Sequence, residues 1–159
     1  MNNLSMTGLV RRTQALEAEV ARLEREANTD QLTGLANRRY LERRGEARGG
    51  WYVLADLNSF KRAQDSHPAG HAHGDAILME FASMLVRLSP DGAVAARVGG
   101  DEFVINTRSA KEAKEVSRAI RDWVSTEDDR VTACSGVGMT LEQADAVMYS
   151  EKKHARRIA

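Results

Sequence analysis

The chain has 159 residues, and its 23 lysines and arginines are balanced by 23 aspartates and glutamates, a length that suits one domain with an appendage. The balance excludes a general basic field, so no nucleic-acid polymer is expected as a partner, and any phosphate must be met by locally placed charge. The single cysteine, Cys134, excludes an intramolecular disulfide; with no signal segment and no apolar run near the ~18 residues of a membrane span, a cytoplasmic protein off the membrane is expected.

Leu9, Leu16 and Leu23 recur at heptad spacing, and Thr13, Val20 and Ala27 complete a two-position seam. The pattern predicts a helix from about Leu9 to Ala27 that pairs with a second copy as a coiled coil. An amphipathic helix folded back on its own domain carries the same stripe. Residues 1–28 are read as the dimerisation helix and 29–159 as a separate globular domain. After the turn cluster Asn28-Thr29-Asp30, a short helix is predicted from Asn37 to just before Gly45, followed by a loop at Arg48-Gly49-Gly50. Trp51 to Ala55 reads as a strand covered on both faces. It ends at Asp56, a carboxylate where open α/β sheets place their sites. A short helix from Asn58 to Ala63 carries Phe60 inward and Lys61 outward.

Asp65 to Asp75 reads as a loop by its Pro68 and Gly70. His67, His71 and His73 invite a zinc or nickel reading, but the Pro and Gly break the regular spacing that paired ligands need. The preferred reading is a solvated loop in which His71 caps local backbone. Ala76 to Leu88 has helical periodicity through Ile77, Phe81, Met84, Leu85 and Leu88. Ala93–Val98 and about Glu102–Asn106 form a hairpin, with Gly99-Gly100 supplying the positive φ angles of a tight turn. Ser109 with Glu112 is a capping box for a helix with the stripe Ala113, Val116, Ile120 and Trp123. Val131 to Val137 is the last strand. Thr140 with Gln143 opens a final helix, with Leu141, Ala144 and Met148 inward and Lys152 and Arg156 on an outer face.

This order predicts an α/β fold of the α+β kind. It is a ferredoxin-like palm with a mainly antiparallel sheet flanked by helices, preceded by the N-terminal coiled-coil helix. In such a palm Asp56 and Asp101 converge. Two carboxylates at about 4 Å repel by about 4 kcal/mol at an effective dielectric near 20, and a hard divalent cation turns that cost into a site. Two such ions suit in-line phosphoryl displacement. Gly99 and Gly100 leave backbone open to phosphate or ribose, and Lys61, Lys152 and Arg156 are placed to meet outer phosphates.

Arg97-Val98-Gly99-Gly100-Asp101-Glu102-Phe103 resembles the signature of the GGDEF family, the diguanylate cyclases. Four further motifs follow the family in order. Asp30 to Arg39 is similar to D-x-L-T-G-L-x-N-R-R, and Asp56 to Lys61 to D-[LI]-D-x-F-K. Gly70 to Asp75 matches G-H-x-x-G-D, and Ala144 to Lys152 resembles A-D-x-A-L-Y-x-A-K. The resemblance implies a magnesium site at Asp56, the Leu57 carbonyl and Asp101, manganese being the alternative ion. It assigns Asp101 a part in deprotonating the attacking 3′-hydroxyl and Glu102 a supporting role. Asp75 would read the guanine edge, and Lys61, Lys152 and Arg156 would bind phosphates. The implied reaction joins two GTP into cyclic di-GMP with release of two pyrophosphates, each subunit of a homodimer holding one GTP.

The sequence departs from the family at three places. Gln64 stands where the family has a guanine-contacting Asn, and the loop after it is longer, which opens base selectivity. The inhibitory R-x-x-D falls on Pro90 and Ala93, so product inhibition there is expected to be absent. The connection between Val137 and Leu141 is short. The alternatives are a catalytically silent GTP- or dinucleotide-binding module and a cyclase with relaxed base choice.

Overall fold

The computed structural model describes residues 6–48 and 50–158, with side chains over the same span except at positions 7, 45–48 and 154–158. The heptad stripe forms α1 (Met6–Asn28), one helix through the whole pattern. Its seam is left uncovered: Leu9, Leu16, Val20 and Leu23 are each about half exposed, so α1 is not folded back over the domain. It meets the rest of the chain at its last turn, where the Asn37 amide donates to the Ala27 carbonyl at 2.9 Å.

A two-residue strand, β1 (Ala36–Asn37), precedes α2 (Arg38–Arg48). The helix runs through Gly45 instead of stopping before it, since a single glycine costs a helix only about 1 kcal/mol; Gly49 lies outside the described residues. The apolar run forms β2 (Trp51–Asn58), followed by α3 (Phe60–Ser66) and α4 (His71–Leu88). Gly70, at φ 51°, turns the chain into α4, so this helix begins at His71 and not at Ala76. Next come β3 (Val94–Arg97), β4 (Glu102–Thr107), α5 (Ala110–Arg121), β5 (Thr132–Gly138) and α6 (Leu141–Ile158).

The five strands lie in the order β1-β3-β4-β2-β5. All pairs are antiparallel except β1 with β3. Helices flank both faces of this sheet, as the palm reading requires. Strand side chains alternate between faces. Val53, Ala55, Leu57, Phe103 and Ile105 join Ile77, Phe81 and Leu85 of α4 and Val116 and Ile120 of α5 in the larger core. Leu54, Val104 and Cys134 face the other way, against Leu41 of α2 and Ala144 and Met148 of α6.

Both capping patterns have their bonds. Ser109 Oγ accepts from Glu112 N–H at 3.2 Å, with the reciprocal Glu112 contact present. Thr140 Oγ1 accepts from Gln143 N–H at 3.2 Å, whereas the Gln143 side chain reaches back to Met139 N–H. Trp123 lies past the end of α5 and packs edge-on against Phe81 from the following loop. Leu141, expected inward, is exposed on the first residue of α6.

Candidate active site

Register brings the predicted residues to one end of the sheet. Asp56 on β2 stands directly opposite Glu102 on β4 and Cys134 on β5, so all three side chains turn to the α6 face. Asp101 lies in the connection between β3 and β4. The Leu57 N–H donates to the Asp101 carbonyl at 3.4 Å. A strand residue turns its N–H and C=O to the same edge, which aims the Leu57 carbonyl toward the same turn.

The turn is not the predicted one. Neither Gly99 nor Gly100 has positive φ; residues 98–101 form a wider connection, in which Val98 and Gly99 both donate to the Glu102 carbonyl. A Cβ at Gly99 would press on the Glu102 carboxylate, which would have to swing aside, while the position of a Cβ at Gly100 is open. Two arginines clasp this backbone. Arg97 Nη2 and Nε donate to the Gly100 carbonyl at 2.7 and 3.1 Å, and Arg38 Nε donates to the Val98 carbonyl at 2.9 Å. Arg97 Nη1 also reaches Asp30 Oδ1 at 3.3 Å, and that carboxylate accepts the Thr33 amide and hydroxyl. Burial works to raise the Asp30 carboxyl, but the Thr33 bonds and Arg97 outweigh it and hold it below its ordinary value. Arg38, Asp30 and Arg97 carried no assigned role in the sequence, although all three sit inside motifs recognised there.

Electrostatics sharpen the carboxylate pair. Burial, and then the charge of Asp56, push the Asp101 carboxyl above its ordinary value against the opposing pull of Lys152 and Arg97. Lys152 Nζ lies 2.7 Å from Asp56 Oδ1. This corrects the outer-face placement: Lys152 follows Met148 by one helical turn and shares its inward stripe, a spacing already visible in the sequence. Burial alone would lower the Lys152 ammonium; its bond to Asp56 and the surrounding negative charge raise it instead. Cys134, unassigned from sequence, donates its thiol to the Asp56 backbone carbonyl at 3.4 Å, and burial pushes that thiol up to about 11. Arg156 lies farther along α6, and its side chain is outside the described residues.

The residues expected from the sequence to meet the nucleotide, Lys61, Gln64 and Asp75, lie on α3 and α4. Ser59 takes a left-handed backbone, φ 62°, which starts α3 immediately after β2. Lys61 is exposed on its first turn and Gln64 half-buried on its last. Gln64 lies across Gly74, where a Cβ would come within 2.5 Å of its Nε2 and 3.2 Å of Phe60. Asp75, half-buried, is the next residue of α4 after Gly74. The histidines do not converge on a metal. His67 and His73 stack at 3.9 Å, His73 is buried 3.5 Å from Asp128, and His71 is exposed. The local cap is made by His67, whose Nδ1 accepts from Ala69 N–H at 3.1 Å.

The donor set suits a hard cation. Asp101 lies in the turn whose backbone is bonded to the residue after Asp56, and a lysine ammonium stands as counterion against Asp56. Among the described residues no group of three or more His, Cys, Asp or Glu side chains is placed to hold a metal ion. Magnesium commonly takes one or two protein carboxylates and leaves its remaining positions to water and phosphate oxygens.

Compared with known proteins, residues 27–157 match the family described as diguanylate cyclase, GGDEF domain. The chain is 33% identical to the probable diguanylate cyclase DgcE of Escherichia coli, over 82% of this chain and 14% of that protein. It is 29% identical to the diguanylate cyclase VdcA of Vibrio cholerae, over 89% of this chain and 49% of that protein. It therefore spans at most about half the length of these two curated relatives. The coiled coil and GGDEF domain of DgcB from Caulobacter crescentus, solved with c-di-GMP, gives a TM-score of 0.72 at 27% identity, covering 94% of this chain and 93% of that one. Diguanylate cyclase SiaD from Pseudomonas aeruginosa, solved with its activator SiaC, gives 0.65 at 30% identity, covering 91% of this chain and 65% of that one. No helix among the described residues is long and apolar enough to cross a membrane.

Proposed function

The chain belongs to the GGDEF family, and from that premise we propose that it is a cytoplasmic, magnesium-dependent diguanylate cyclase that condenses two GTP into cyclic di-GMP. The observation that carries the reading is the grouping at the β3–β4 turn: the Leu57 N–H beside Asp56 donates to the Asp101 carbonyl at 3.4 Å, and the Lys152 ammonium stands 2.7 Å from Asp56 Oδ1. Asp56, Asp101 and the Leu57 carbonyl would hold the metal, with manganese as the alternative ion. When bound, the metal supplies charge neutralisation at the phosphates and polarises the attacking oxygen.

The chain's own groups do the rest. Asp101 Oδ accepts the 3′-hydroxyl proton, and Glu102 supports the site. Lys61, Lys152 and Arg156 bind the outer phosphates of the triphosphate. Asp75 hydrogen-bonds the base edge, with Gln64 beside it setting how strictly guanine is required. Gly99 and Gly100 let the nucleotide approach the backbone. One subunit holds one GTP, so two subunits must meet. The uncovered seam of α1 supports a homodimer in which residues 1–28 pair and residues 29–159 carry the sites. Pairing raises the effective concentration of one loaded site near the other. With Pro90 and Ala93 at the R-x-x-D positions, the product does not inhibit through that site.

Protein incubated with GTP and magnesium should release pyrophosphate, and Asp101→Ala should stop it. Release that survives the substitution overturns the assignment of Asp101. GTP binding by the unsubstituted chain with no pyrophosphate release would make it a silent nucleotide-binding module instead.

A further inference from the structure

Lys152 occupies the position of a counterion to a proposed metal ligand. Its Nζ is 2.7 Å from Asp56 Oδ1, and the pair is only partly open to water, with side-chain exposures of 26% and 17%. The helix carrying it is seated without slack: a Cβ on Gly136 would strike the Ala144 carbonyl and the Met148 amide, and one on Gly138 would come within 2.5 Å of the Ala144 amide. With the backbone one turn before Lys152 fixed against β5, the ammonium can leave Asp56 only by swinging its own stem, and lysine is a mobile point charge on four rotatable carbons. The neighbouring arginine does not substitute for it, because Arg97 is already bonded to Asp30 and the Gly100 carbonyl.

We propose that Lys152 is an internal counterion that closes Asp56 to divalent metal in the nucleotide-free protein and transfers to the triphosphate when nucleotide arrives, so that metal and nucleotide bind together. This rests on the cyclase reading of the site. The charge balance gives the reason. Asp56 and Asp101 against Lys152 leave one net negative charge, and a dication entering beside a fixed ammonium meets repulsion over a few ångströms. A triphosphate takes the ammonium onto its own oxygens, frees the Asp56 carboxylate and brings further oxygen ligands for the ion. Lys152 thereby acts as a positioning residue for the metal as well as a phosphate contact.

The test is Mn2+ binding to the full chain, measured by equilibrium dialysis as the excess of Mn2+ on the protein side, with and without inorganic tripolyphosphate, whose own Mn2+ complex equilibrates across the membrane. The unsubstituted protein should bind Mn2+ weakly alone and on the order of tenfold more tightly with tripolyphosphate. Lys152→Gln should bind Mn2+ on the order of tenfold more tightly without tripolyphosphate and lose most of the further gain. Lys152→Met removes the charge at similar length and should behave alike; either variant, shown folded by circular dichroism, suffices. Mn2+ affinity equal to or below that of the parent in a folded variant, or an undiminished gain with tripolyphosphate, overturns the proposal. Because this readout needs no turnover, a protein that fails to make cyclic di-GMP yet shows the Lys152 effect separates the failure of the cyclase reading from that of the counterion.

Discussion

Along β2 and β4, Val53, Ala55, Leu57, Phe103 and Ile105 turn toward α4 and α5 and are almost wholly buried, while Asp56 and Glu102, on the same strands, turn toward α6. The first face is cemented by large side chains. Phe81 packs edge-on against both Phe103 and Trp123, with ring centroids 4.9 and 4.8 Å away. The second face is held by close backbone approach, with α6 lying on Gly136 and Gly138 of β5. A strand period of two lets one element serve both purposes. Stability gathers on the apolar face, and that surplus lets the other carry two carboxylates, a lysine and a buried thiol.

If the faces divide the work in this way, substitutions on each should move different readouts. Asp101→Ala is expected to lower pyrophosphate release from GTP by at least about a thousandfold. Its thermal midpoint should not fall, since it removes a half-buried carboxylate raised by burial and by Asp56; a fall in midpoint matching the lost activity would break the comparison. Phe81→Ala should do the reverse. A fully buried aromatic truncated to alanine costs about 3–5 kcal/mol, read by urea denaturation, while activity per folded molecule persists.

Gly136→Ala tests the seam between faces. The added methyl meets α6 backbone, so a cost of about 1–3 kcal/mol is expected. Because it displaces the helix that carries Lys152, it should lower activity per folded molecule, unlike Phe81→Ala. Ser109→Ala removes a helix cap remote from the site and should cost about 1 kcal/mol in denaturation with unchanged turnover. The smallest effect expected is in pH dependence. The Asp30 carboxyl is held below its ordinary 3.8, so its stabilisation is complete above that value and fades as pH falls through the lower folded one. The stability gap between the parent and Asp30→Asn should therefore be widest near neutrality and close in strong acid.

Local rules made much of this legible. The Trp51–Ala55 run, both capping patterns and the heptad stripe each depend on neighbours within a few residues, and each is present; the strand, expected to end at Asp56, runs on to Asn58 because β5 pairs with it there. Distant partners hid the rest. The strand Ala36–Asn37 exists only because β3 lies alongside it. The start of α4 at His71 depends on the turn at Gly70, and Gly74 is tolerated in the helix because Gln64 and Phe60 press against it. The Gly99-Gly100 pair suggested a tight turn by composition; the Glu102 backbone carbonyl, which accepts from Val98 and Gly99, and the Arg38 and Arg97 clasp hold a wider one instead. Lys152 was misplaced by reading a long cationic side chain as solvated, when its four-residue spacing from Met148 put it on the inward stripe. Cys134 gave no chemical signal of its own, since only register with Asp56 brings it to the site.

Mass analysis of the nucleotides formed from an equimolar mixture of GTP and ATP with magnesium tests the central claim most directly. The two-carboxylate site on the α6 face, with Asp75 reading the base, predicts cyclic di-GMP as the main product, with two pyrophosphates released for each. Absence of any cyclic dinucleotide would contradict the cyclase assignment, and a mixed or adenine-containing main product would contradict guanine recognition at Gln64 and Asp75.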